Sequence, residues 1–255
     1  MNFRRTQLIM VFASAFFLGG LSSCQKDIKS EPWYVFAQKY IEADEAIMRN
    51  EAEKKGTFLE DLVVRDDAAS QLLKVPVPSI PKSDALLRSN NRAARKAVIV
   101  NIMLRQIKEG RLLESILETY RVEDDRSTKF YSVRCFIHLN DMQLKAFEDR
   151  LIKIFTLEKD EVVIIAAMPA LTRLDKYKVR PLFTKYLRTG TDGLRAVAIV
   201  SLREINADLL NEIQQELKSE GIDMWSGLSK WRLPERLRSY EKDKKSGKLD
   251  RQEKK

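Results

Sequence analysis

From Trp33 to Lys55 the apolar positions Trp33, Phe36, Ala37, Tyr40, Ile41, Ile47 and Met48 fall on one stripe of a helix. Glu42, Asp44, Glu45, Arg49 and Glu51 fall on the other side. Gly56-Thr57 breaks this pattern, and Thr57 with Asp61 suggests an N-terminal cap. A second helix follows through Phe58, Leu59, Leu62, Val63, Ala69, Leu72 and Leu73. Val75–Asp84 carries three prolines, which remove donors and clash inside a helix, so it predicts an extended crossing. Ser83 or Asp84 then caps a short helix at Ala85–Arg88, and Asn90-Asn91 marks a turn. Residues 33–91 thus form an N-terminal helical segment.

Beyond Arg92 the pattern repeats. The clearest unit is Asp192–Leu217, read as two short helices hinged at Asn206, with Ala198, Leu202 and Ile205 inward on the first and Ile213 and Leu217 on the second. Its positions recur upstream in columns: Leu104, Leu139, Leu171, Leu202; Ile107, Met142, Leu174, Ile205; Val100, Cys135, Ala167, Ala198. The partner helices give Ile116, Leu151, Leu182, Ile213 and Tyr120, Phe155, Tyr186, Leu217. A unit of this size cannot bury its own apolar faces, but stacked neighbours can. Leu194-Arg195 followed by Ala198 and Leu202 resembles the inner helix of the HEAT-like α-helical repeat family; Val133-Arg134 is similar but two residues out of register, and Val162–Leu174 lacks the arginine. The expected fold is all-α: a right-handed superhelical array (α-solenoid) of about four helical hairpins over 92–221, after the N-terminal helices. Pro169 predicts a kink within it.

After Gly221, Trp225, Leu228 and Trp231 share roughly one helical face, which predicts a cap over 222–245. Pro234 opens its last short helix. Residues 246–255 are charged and poor in apolar side chains, so a disordered basic tail is expected. Composition agrees with a helical body: glycine (9) and proline (7) are too scarce for a turn-rich β-sandwich. The net charge of +9 would suggest nucleic acid until it is located. Ser226–Lys255 holds 11 Lys+Arg against 5 Asp+Glu, and Arg4 and Arg5 add two more, so the body is close to neutral. The tail has few interleaved aromatics; contact with anionic lipid or polysaccharide suits it better than nucleic acid.

The first residues change the picture most. A short basic start with Arg4 and Arg5 precedes the apolar run Leu8–Gly20, whose 13 residues are too few to span a bilayer comfortably. Leu21-Ser22-Ser23-Cys24 then resembles the lipobox of bacterial lipoproteins. That resemblance implies that residues 1–23 are a signal peptide cleaved after Ser23. It also implies diacylglycerol on the Cys24 thiol, and usually an amide-linked fatty acid such as palmitate on its amine. Residues 24–32 are expected to be a linker. Gln25, rather than aspartate, follows the cysteine, which points to the outer membrane rather than the inner, and Gln25-Lys26-Asp27 resembles the export tag of surface lipoproteins.

Candidate chemistry is sparse. With Cys24 acylated, Cys135 has no disulfide or metal partner and reads as a small buried side chain. His138 is the one histidine, expected half-buried at a packing position, so neither a His-based metal site nor a nucleophile–base pair is supported. Glu123-Asp124-Asp125 lacks the alternating ligands and glycine of a calcium loop, and a turn in which Asp125 to Thr128 caps the next helix is expected instead. Gly190 is expected at a helix C-terminus. No cofactor is implied. The resulting expectation is a non-enzymatic, membrane-anchored scaffold or adaptor that binds a protein partner in the cell envelope. The alternative is an accessory glycan- or cell-wall-binding subunit, for which Trp225 and Trp231 are the candidate contacts, because sugars stack on aromatic faces.

Overall fold

The computed structural model describes residues 28–52 and 59–226. Cys24 and the apolar run before it, the break at Gly56-Thr57, Leu228, Trp231, Pro234 and the basic tail lie outside the described residues. Within them all regular structure is helical. The chain divides into two compact units at Leu139/Asn140. The first holds α1 (Pro32–Ala52), α2 (Leu59–Lys74), α3 (Ile80–Leu87), α4 (Arg92–Leu104), α5 (Gly110–Val122) and α6 (Arg126–Arg134). The second holds α7 (Asp141–Lys145), α8 (Glu148–Leu157), α9 (Glu161–Leu171), α10 (Lys176–Thr189), α11 (Asp192–Ile205) and α12 (Ala207–Ser219).

In the first unit α1 packs against both α2 and α4, so its buried surface is wider than one stripe. Trp33, Tyr34, Ala37, Tyr40, Ile41, Ala43 and Ile47 are all buried, and so is Asp44, which had been expected on the solvated side. Conversely, Val63 and Leu73 of α2 are more than half exposed, because α2 rests mainly on α1 alone. The two helices run antiparallel: the Asn50 amide donates to Asp61 at 3.2 Å, and Arg65 reaches Asp44 at 3.5 Å. The expected linker is partly folded. Ile28 is buried, its carbonyl accepts from the Glu31 amide at 3.0 Å, and α1 begins at Pro32.

The Pro-rich crossing is shorter than expected. α3 starts at Ile80, not Ala85, capped by Ser79, whose hydroxyl accepts from the Lys82 amide. Pro81 fits in its first turn, where a missing N–H costs nothing. Asn91 caps α4 by accepting from the Ala94 amide at 3.1 Å. α4 then buries Ala94, Ala97, Val98, Ile99, Val100, Ile102 and Met103. It packs on α6, while α3 packs on α5. α6 stops at Arg134, earlier than the repeat pattern implied, and Cys135–Leu139 forms turns.

In the second unit α8 packs on α10, α9 on α11, and α10 on α12. Asn206 closes α11 and opens α12 at φ −145° and ψ 65°, its side chain accepting from the Leu209 amide at 3.3 Å. The hinge is where the sequence places it. Pro169 stands in the last turn of α9, which continues to Leu171.

Most of the columns are buried; one is not. Val100, Cys135, Ala167 and Ala198 lie inside, as do Ile116, Leu151, Leu182 and Ile213, and the set Tyr120, Phe155, Tyr186 and Leu217. In the column of Ile107, Met142, Leu174 and Ile205, only Leu174 is buried, while Met142 is 84% and Ile205 45% exposed. These four residues occupy helix ends and turns rather than one helical face, so the three-residue step that relates them to the leucines has no constant direction.

Candidate functional site

Trp225 is the described member of the aromatic pair singled out from the sequence. α12 ends in a Schellman motif: Gly221 sits at φ +77°, its amide donates to Lys218, and the Ile222 amide donates to Leu217. The chain then turns at Asp223, whose carboxylate accepts from the Trp225 amide at 3.0 Å. Met224 is buried and Trp225 is 38% exposed. The Arg203 guanidinium lies over the indole at 5.6 Å from the ring centre, so one face is already used. A hollow of about 380 Å³ opens beside it, lined by Gln214, Lys218 and Gly221–Trp225. Residues 224–226 form turns.

Arg195, which follows Leu194 in α11, fixes this segment. Its guanidinium donates to Asp192 at 2.5 Å and to the Ser226 carbonyl at 2.8 Å, while its Nε is buried without a partner.

The other residues weighed from the sequence have structural occupations. The Cys135 thiol is buried, lies 3.5 Å from the Tyr131 carbonyl oxygen, and burial pushes its pKa up, which keeps it from being a thiolate. His138 is exposed rather than half-buried, a correction that follows from α6 ending four residues before it. Partial burial, then the positive charges of Arg134 and Lys108, lower its pKa.

The acidic run is committed to its surroundings. Glu123 is buried, accepts from Arg95 at 2.7 Å and takes the Asp124 and Asp125 amides at 3.2 Å each. Asp125 caps α6, accepting from the Thr128 amide at 2.8 Å, the Thr128 hydroxyl at 2.6 Å and Ser127 at 2.9 Å. Burial raises its pKa, but the bonds from Thr128 and Lys96 outweigh that and hold it well below the ordinary carboxylate range.

Three polar clusters of the first unit were invisible in the sequence. Asp44 accepts from the Tyr131 hydroxyl at 3.0 Å and faces Arg65. Lys96 joins Glu45 at 2.8 Å, Asp125 at 3.0 Å and Ser127 at 2.6 Å, tying α1, α4 and the start of α6. Asp84 takes Ser115 at 2.5 Å, Arg111 at 2.7 Å and Arg88 at 3.2 Å, tying α3 to α5. Each joins helices far apart in the chain, so no local spacing announces it. Each carboxylate is occupied by cations or hydroxyls that hold helices together, which is a bracing role. Among the described residues no helix is long and apolar enough to cross a membrane. No protein-family model matches the chain, and no curated protein or solved structure matches it significantly.

Proposed function

We propose that this chain is a lipoprotein, held on the cell envelope by acylated Cys24, whose helical body serves as a non-enzymatic scaffold for a protein partner. The outer membrane, with display on its surface, is the proposed location. In this reading the body is a right-handed superhelical array of hairpins. The order of packing supports it: in the second unit α9 lies on α11 and α10 on α12, and in the first α4 lies on α6 and α3 on α5. Helices that stack on their second neighbours are what a repeat array requires. The observation that carries the interaction role is the set of exposed side chains at helix ends in the second unit, Met142, Tyr177 (72% exposed) and Ile205. Such residues are anchors of the size that dominate protein interfaces.

Two measurements test this reading. Metabolic acyl labelling of the wild type and of Cys24→Ser should mark only the wild type; equal labelling removes the anchor. A photo-crosslinking residue at Met142 or Tyr177 should give a discrete protein adduct in intact cells, whereas the same residue at the polar surface position Lys153 should not. Identical patterns at all three positions would remove the scaffold role.

A second reading, glycan or cell-wall binding, is favoured by Trp225 alone, which is exposed beside an open hollow. Its test is retention on purified cell-wall polymer, which Trp225→Ala must abolish if the indole is the contact.

A further inference from the structure

If Cys24 is acylated, as proposed above, the folded body begins almost at the membrane. Only Gln25, Lys26 and Asp27 separate Cys24 from Ile28, which is buried. Four Cα steps reach at most about 14 Å. Acyl chains on Cys24 place that residue at the headgroup boundary, so the end of the first unit that holds Ile28 cannot leave the bilayer surface.

That end presents apolar side chains to solvent. Antiparallel pairing of α1 with α2, set by Asn50–Asp61 and Arg65–Asp44, brings the last turn of α2 beside the first turn of α1. Arg105 fixes the end of α2 by donating to the Leu72 carbonyl and, at 2.5 Å, to the Val75 carbonyl. Lys82 pairs with Glu31, joining the first turn of α3 to the Ile28–Glu31 turn. These ties bring Val35, Leu73, Val77 and Ile80 to the end that holds Ile28, with exposures of 36%, 52%, 45% and 43%. Lys29 and Lys74 are exposed at the same end.

We infer that Val35, Leu73, Val77 and Ile80, with Lys29 and Lys74 at their rim, form a bilayer-docking surface that lays the first unit on the headgroups. The inference rests on acylation of Cys24. The apolar side chains enter the headgroup–acyl boundary, and the ammonium groups meet lipid phosphates. A protein partner fits less well, because the tether leaves about 14 Å at this end and the membrane already fills that space.

The test uses the lipidated full chain in vesicles of phosphatidylethanolamine and phosphatidylglycerol. A fluorophore is placed on Leu73→Cys, on Ile80→Cys, or on Val63→Cys, which is exposed but about 15 Å farther along α2. Cys135 is buried and does not compete for label. Doxyl-labelled lipid should quench the first two probes about two-fold and spare the third. Acyl mass on Cys24 and co-flotation are read on the same sample. Equal quenching at all three positions, with acyl mass present, overturns the docking surface and leaves the anchor standing. Missing acyl mass overturns the anchor and the docking with it. Val77→Asp with Ile80→Asp, both at exposed positions, should abolish quenching at Leu73→Cys while flotation persists; unchanged quenching overturns the role of those side chains. Crosslinks from position 73 or 80 to protein rather than lipid in intact cells overturn it as well.

Discussion

In the first unit three carboxylates that join helices are buried: Asp44, Asp84 and Glu123 are each between 5% and 6% exposed and held by cations or hydroxyls from other elements. In the second unit most such charges stand in the open. Glu212 and Glu216 of α12, and Glu220 at its C-cap, face Lys176, Arg180 and Arg188 of α10, with side-chain exposures from 34% to 40%. Glu148 is the exception, buried and engaged by Lys178 and the Asp175 amide. The difference separates two ways of joining helices. A buried carboxylate fixes one arrangement and is costly to orphan. A surface ladder guides the stacking of successive helices at small cost when any rung is lost.

Removing a buried partner should therefore give the largest effect. Arg95→Ala leaves Glu123 buried with its strongest partner gone, and a loss of about 3 kcal/mol is expected in urea unfolding. A loss below about 1 kcal/mol would show that Arg92, 3.5 Å from Glu123, already suffices.

The same unit should carry the acid sensitivity. The pKa of Asp125 is depressed in the folded state, so its contribution is full above the ordinary carboxylate range and is lost as pH falls through that range toward the folded value. Asp125→Asn keeps an acceptor at the cap but drops the charge facing Lys96. It should cost about 2 kcal/mol at neutral pH and flatten the acid limb of the stability profile. An unchanged acid limb would place the sensitivity elsewhere.

In the second unit the strongest single dependence is on backbone space. A Cβ on Gly190 would sit 2.5 Å from the Tyr186 carbonyl oxygen and 3.1 Å from Leu194. Gly190→Ala should cost about 1.5 kcal/mol by forcing the α10–α11 turn apart. The glycine is at the helix end as the sequence suggests, but with φ −69° its role is close approach, not a left-handed conformation.

Helix ends allow a like-for-like contrast between the units. α4 and α12 both finish in a Schellman motif, with Gln106 at φ 53° in the first and Gly221 at φ +77° in the second. Gln106 carries strain that glycine would not, so Gln106→Gly should stabilise by about 1 kcal/mol and Gly221→Ala destabilise by a similar amount. Thermal unfolding of the two variants reads both signs. Equal signs would break the contrast.

What was legible in the sequence follows from the range of the interactions. Asn206 and Asp125 announced themselves because a cap is satisfied within three residues. The buried columns were legible because one helical face repeats. Met142, Ile205 and His138 were misplaced because the pattern was carried across helix ends that local spacing does not mark. Asp44 and Glu123 were invisible as buried groups. Their partners, Tyr131 and Arg95, lie 87 and 28 residues away, and a carboxylate in an amphipathic helix reads as solvated until its partner is known. Trp225 stood out by type, but the cation over its ring came from Arg203, 22 residues upstream.

The smallest expected effect separates the two electrostatic designs most directly. Arg180 of α10 bonds Glu216 at 2.9 Å and lies 3.6 Å from Glu212, with its side chain 39% exposed. Arg180→Ala should cost about 0.5 kcal/mol or less, because both glutamates remain hydrated when it leaves. Raising the salt concentration shortens the screening length from about 10 Å at 0.1 M to about 3 Å at 1 M. The cost of Arg180→Ala should therefore shrink toward zero in high salt, while that of Arg95→Ala persists because the Glu123 pair is shielded from solvent. A parallel loss of both effects with salt would mean that the first unit opens to solvent around Glu123, and that the units differ in sequence position but not in how their charges act.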